Sequence, residues 1–228
     1  MPLSGKGMLL TSMDIDPADE AEFNRWYDRE HLEERVAIDG FLEARRYVAH
    51  AASPKYLCLY STKTIDVLDS SAYRARLANP TDDSRKNMAR FRNMIRAVAR
   101  ITVSRGQGRG SALGIVRVRP QTGSQQALRD KLAAKLDPVE LDGIISMHLI
   151  ECDPALSGPT PEIPSAANAG ENDWFVLIDA TDVTAASDVI AAHFSDPAAL
   201  ASAILISAST YHLMWDLAKS DIPPMQAT

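Results

Sequence analysis

Residues 16–48 read DPADEAEFNRWYDREHLEERVAIDGFLEARRYV, and the fold follows from where that stretch breaks. Asp16 stands as an N-cap, Pro17 at the first helical position, and Asp19 and Glu20 in the first turn. Each suits a helix start: the Asp oxygen accepts from an amide with no partner, proline forfeits no hydrogen bond, and acids favour the positive dipole end. Phe23, Trp26, Tyr27, Glu30 and His31 then recur on one helical face. Asp39-Gly40 is a turn signal, so the helix is predicted to close near 35–36. Residues 41–48 alternate as a strand. Phe41, Glu43, Arg45 and Tyr47 are expected on one side, and Leu42, Ala44, Arg46 and Val48 on the other.

Outward from there, residues 7–15 form a strand before the helix. Residues 56–61, YLCLYS, form one after it that is apolar on both faces and so covered on both. A helix is predicted over 65–78, stopped by Asn79-Pro80, then another from 81 or 82 through 95, then a strand over 97–104. The order β-α-β-β-α-β is that of a ferredoxin-like unit.

The pattern recurs. A strand at 113–119 leads to a helix at 125–136 carrying Leu128, Leu132 and Leu136, the Asp142-Gly143 turn, and strands at 144–152 and 174–179. A helix at 183–194, a short one from Asp196-Pro197 and a strand at 207–215 complete it. Asp39-Gly40-Phe41 answers to Asp142-Gly143-Ile144, residues 56–59 to 174–177, and Asn79-Pro80 to Asp196-Pro197. The chain is therefore predicted to be a tandem duplication. One repeat spans 1–105 and carries the Trp-Tyr/Glu-His helix. A linker follows at 106–110. A degenerate repeat spans 111–228, with an inserted loop at 153–172. The joint RGQGRG lacks the lysine and serine of a phosphate-binding loop.

A four-stranded ferredoxin-like sheet covers one face with helices and leaves the other bare. The expected fold class is α+β: two such repeats whose antiparallel sheets pack face to face into one intramolecular α/β barrel. Either a monomer or a homodimer is compatible with that closure.

Composition narrows the partners. The 228-residue chain is 46% hydrophobic and carries a formal net charge of −6, which argues against nucleic acid. Its nearest basic run, Lys86, Arg90, Arg92 and Arg96, is expected on a solvated helix face. Cys58 and Cys152 are expected as free thiols, and no zinc spacing occurs. No apolar run reaches the roughly 18–20 residues of a membrane span, and residues 1–10 lack signal-peptide character, so a cytoplasmic protein is expected.

Residues 26–47, WYDREHLEERVAIDGFLEARRY, resemble the signature of the EthD-like group in the dimeric α/β-barrel superfamily: a WY-x-x-EH-x-x-ER helix, a Gly-Phe turn and an Arg-Arg-Tyr strand. Trp26, Tyr27, Glu30, His31, Glu34, Arg35, Gly40, Phe41, Arg45, Arg46 and Tyr47 match it. Glu33 and Asp39 depart from it, where relatives often carry proline. The superfamily includes cofactor-free monooxygenases, decarboxylases, cyclases, isomerases and haem-binding members. The resemblance therefore implies a fold and a site region more than a reaction.

Within the signature, Tyr27 and His31 are one α-helical turn apart, as are Trp26 with Glu30 and His31 with Arg35. His31 is the candidate general base or acid, with Tyr27 beside it and Glu30 as the carboxylate that would tune its titration. Arg45 or Tyr47 would anchor a carboxylate or enolate-like oxygen, with Trp26 and Arg35 as further binding residues. No metal and no cofactor is called for. The expected partner is a small, partly apolar, oxygenated molecule. The competing expectation is a non-catalytic binding or accessory protein in which Glu30, His31, Glu34 and Arg35 tie the helix to the sheet. Of the other histidines, His148 and His212 are expected in covered, hydrogen-bonded positions.

Overall fold

The fold is given by a computed structural model that describes residues 3–158, 160, 170–196, 200 and 202–223. Among the described residues eight strands and several helices follow one another: β1 (Gly7–Asp14), α1 (Glu20–Trp26), α2 (Leu32–Val36), β2 (Phe41–Ala51), β3 (Tyr56–Thr62), α3 (Ser71–Ala78), α4 (Asp82–Met88) and β4 (Arg92–Gly106). The second half follows as β5 (Ala112–Pro120), α5 (Gln125–Lys135), β6 (Ile144–Cys152), β7 (Trp174–Ala180), α6 (Val183–Phe194) and β8 (Ala203–Ala218).

All eight strands close into one antiparallel barrel in the order β1-β3-β2-β8-β5-β7-β6-β4. Each half contributes the same 4-1-3-2 arrangement. The seams are β2 with β8 and β4 with β6, so no sheet edge is left open. Closure fills the inside with one core, including Leu10, Tyr47, Leu59, Ile115, Phe175 and Leu177. Two outer cores lie beneath the helices. One gathers Phe23, Trp26, Tyr27, Tyr60 and Tyr73, and the other Leu128, Leu132, Val176, Val189 and Phe194. Every residue of β3 and β7 is buried, as expected of strands sandwiched between a barrel interior and a helix layer.

Several local expectations are corrected. The first helix starts at Glu20, not at Pro17. Asp16 instead accepts from the Ala18 amide in a turn that precedes it. The helix expected through residue 95 stops at Met88, and Arg92 and Arg96 lie on a strand that pairs with β1. Pairing with β1 recruits more chain into β4 than its local helical spacing suggests. The segment at 65–78 is a 3₁₀ turn (Ile65–Asp69) followed by α3. In β2 the register shifts between Phe41 and Glu43. This bulge turns Phe41 outward with Ala44 and Arg46, while Glu43, Arg45 and Tyr47 face inward. The short helix expected from Asp196-Pro197 and much of the loop at 153–172 lie outside the described residues.

Candidate functional site

Between α1 and α2 the helix does not stay α-helical. Residues Tyr27–His31 form a single π turn, with the Leu32 amide donating to the Tyr27 carbonyl. Such turns insert one extra residue and are frequent at functional sites. In an α-helix residues i and i+5 point about 140° apart. Here the π turn stacks Trp26 on His31, with ring centroids 4.5 Å apart, and also sets Tyr27 against His31 at 4.9 Å. The sequence spacing pairs Trp26 with Glu30. The π turn pairs it with His31 instead.

Glu30 is turned away from the imidazole and accepts from the Thr81 hydroxyl at 2.6 Å, linking the first helix to the start of α4. Glu34 pairs with Arg76 at 3.1 Å. No described carboxylate holds His31, so the expected acid–histidine couple is not assembled. Burial instead pushes the His31 pKa well below its ordinary value, and the nearby Arg35, Arg46 and Arg76 guanidinium groups push it further. The ring is neutral near pH 7. Its Nδ1 is buried and has no hydrogen-bond partner.

The His31 side chain borders a narrow cleft between the helices and the outer face of the barrel, about 30 Å³ in volume. From the sheet come Leu9, Thr11, Met13, Tyr60, Met94 and Arg96, and from the first helix Tyr27, His31 and Arg35. Tyr73, Leu77, Met88 and Phe91 close the far side. The Tyr60 hydroxyl donates to that of Tyr27 at 3.2 Å, and Thr11 stands 3.5 Å from the same oxygen. Burial raises both tyrosine pKa values, so the phenols stay protonated and serve as hydrogen-bond donors.

Arg46 was part of the resemblance but not of the expected site. It is buried under the helix, 4.6 Å from the Tyr27 ring centroid, and is held by Asp28 and Asn24 at 2.5 Å each. The strand alternation carried the signal, because Arg46 lies on the opposite face from Arg45. Arg45 and Tyr47, expected beside His31, lie inside the barrel. Arg45 reaches Asp179 of β7 at 3.2 Å, and Ser146 and His148 join the same network. The Tyr47 hydroxyl is buried there beside Arg45. The expected residues therefore divide: Tyr27, His31 and Arg35 line the cleft with Trp26 packed against His31, and Arg45 and Tyr47 stitch the two halves together.

His148 is fully buried between Ser104 and Ser146, as expected of a hydrogen-bonded core histidine. His212 is exposed beside His50, contrary to expectation, because it faces outward at the β2–β8 seam. The second half has a wider groove, about 630 Å³, but its charges answer one another: Arg129 with Glu151, and Arg119 with Asp173. Beneath α5 the space matching the His31 cleft is packed with Leu128, Leu132 and Leu136. Among the described residues no helix is long and apolar enough to cross a membrane, and no group of three or more His, Cys, Asp or Glu side chains forms a metal site.

No family model matches the chain, and no curated protein matches it. Solved structures do. An anthrone oxidase-like protein superposes with a TM-score of 0.64 at 8% identity, over 95% of this chain and 94% of that one. A candidate monooxygenase from Lactobacillus acidophilus gives 0.56 at 9% identity, over 95% and 97%. Another, from Fusobacterium nucleatum, gives 0.54 at 7%, over 92% and 93%. Likeness at such identities speaks for architecture. The chain has a ferredoxin-like α/β-barrel fold, as those structures do.

Proposed function

We propose that this is an EthD-like barrel protein of the cytoplasm that binds a small, partly apolar, oxygenated molecule in its first-half cleft. There it moves a proton through His31 without a cofactor. One observation carries the reading: among the described residues the buried Nδ1 of His31 has no hydrogen-bond partner, and the residue borders a cleft otherwise lined by donors and apolar groups. A buried imidazole nitrogen left unpaired costs free energy unless something else pairs with it. A neutral imidazole accepts a proton from an enol, phenol or activated C–H. The protonated phenol of Tyr27, which accepts from Tyr60, would donate to the oxygen on which charge develops. The likeness to candidate monooxygenases and an anthrone oxidase-like protein supports chemistry of this kind on oxygenated substrates. The two repeats, 1–105 and 111–228 about the 106–110 joint, would thus be specialised: one for the site, the other to complete the barrel.

A second reading, a non-catalytic binding protein, is favoured by the absence of any described carboxylate at His31. The deciding experiment is a binding screen of small oxygenated aromatics against wild type and His31→Gln, with solvent deuterium exchange into each bound compound followed by NMR. Binding lost in the variant, together with exchange catalysed only by wild type, supports the enzyme. Binding without exchange supports the second reading. Binding unchanged by the variant moves the site away from His31.

A further inference from the structure

We propose that His50 and His212 form a two-histidine site for a divalent ion of the zinc class, which clasps β2 to β8 where the two halves of the chain meet. His50 belongs to the first half and His212 to the second, and β2 and β8 pair along the seam. Ala49 pairs with Tyr211 and Ala51 with Thr210, so His50 is an extra residue in β2. A bulge of this kind re-aims the side chain of its extra residue. The His50 ring meets that of His212, with centroids 5.4 Å apart and planes at 82°. Its Nδ1 shares a hydrogen bond of 3.0 Å with the Thr210 hydroxyl, on the same strand as His212. Both histidines are exposed, whereas Thr210 is buried. The inference does not depend on the His31 cleft binding a ligand.

Neutral imidazole is a preferred ligand of zinc, nickel and copper, and a metal-bound histidine characteristically gives its other ring N–H to a neighbouring oxygen. Thr210 supplies that oxygen. With Nδ1 donating to its hydroxyl, Nε2 of His50 keeps a lone pair for an ion. Two imidazoles bonded to one tetrahedral zinc ion at about 2.0–2.1 Å have centroids about 5 Å apart. The observed separation meets that spacing. Because both side chains lie at the surface, they turn to converge without repacking the core. Two protein ligands leave two coordination positions for water or an added ligand, so the site is an open one. Unfolding separates the two histidines. An ion that needs both therefore binds the folded chain and stabilises the seam.

The test is a titration of zinc chloride alone into the full chain near neutral pH. Imidazole resonances are followed by NMR, and urea unfolding is repeated with and without the ion. The His50 and His212 resonances are expected to move together with one dissociation constant, while buried His148 stays in place. Free zinc at about 100 times that constant should raise the folded-to-unfolded ratio about 100-fold. His50→Gln and His212→Gln change exposed residues and leave the fold intact. Each is expected to weaken binding about tenfold or more, and Thr210→Val, which keeps the shape and removes the oxygen, about tenfold. Magnesium, a hard ion that prefers oxygen ligands, should move neither ring. If zinc perturbs His193 of α6 at the same concentrations, or either single histidine variant binds it as tightly as wild type, the ion is meeting isolated imidazoles and the inference is overturned. A urea midpoint unmoved by zinc overturns the clasp.

Discussion

The Trp26 and His31 rings pack against each other across five residues of helix, their centroids 4.5 Å apart and their planes tilted by 38°. Only the π turn between them permits the pairing. It buries an imidazole against indole and phenol rings with arginines nearby, and so fixes both the position and the protonation state of the ring most suited to chemistry.

Acid stability reports that state. The unfolded chain takes up a proton at His31 near 6.5, and the folded chain only at lower pH, because burial and three arginines oppose the charge. Between those values the unfolded state binds more protons. The contribution of neutral His31 is therefore complete above about pH 6.5 and is lost progressively below it. Urea denaturation of wild type and His31→Gln from pH 7.5 to 5 should show a shallower pH dependence in the variant. The difference should reach at most about 1.4 kcal/mol per pH unit.

Arg45 and Arg46 are chain neighbours on opposite faces of β2, so their truncations should separate. Arg46→Ala strands Asp28 and removes the cation beneath the Tyr27 ring. Arg45→Ala strands Asp179 inside the barrel. Each is expected to cost about 3–5 kcal/mol in urea unfolding. Only Arg46→Ala should shift the His31 resonances of the folded protein.

Glu30 provides the contrast with His31. Its carboxylate ties the first helix to Thr81. Glu30→Gln keeps an acceptor there and should cost no more than about 1 kcal/mol, with ligand affinity within about twofold of wild type. A larger loss of affinity at unchanged stability would return Glu30 to the site.

Gly40 sets the turn between helix and β2. Its φ is +87°, and an added Cβ would fall 2.5 Å from a Val67 methyl. Gly40→Ala should lower stability by about 1–3 kcal/mol, measured as a shift in urea midpoint at unchanged slope.

The duplicated β-α-β-β-α-β order, the Asp-Gly turns, the doubly buried β3 and β7, and the strand at Ile144–Cys152 and helix at Val183–Phe194 were all legible in the sequence. Each rests on periodicity or turn chemistry that acts over a few residues. So was the nearness of Trp26, Tyr27, His31 and Arg35 to one another, because they share one short helical stretch. The grouping within it was not legible. A π turn adds one residue to a helix without a local signature, and that residue moved Trp26 from Glu30 to His31. A bulge in β2 did the same for Phe41. Barrel closure then sent Arg45 and Tyr47 to a different compartment from His31, leaving Arg46 and Arg96 beside the cleft. Strand alternation says that neighbouring residues part company. Only the packed barrel says which face looks inward, because that depends on partners more than a hundred residues away, such as Asp179 for Arg45.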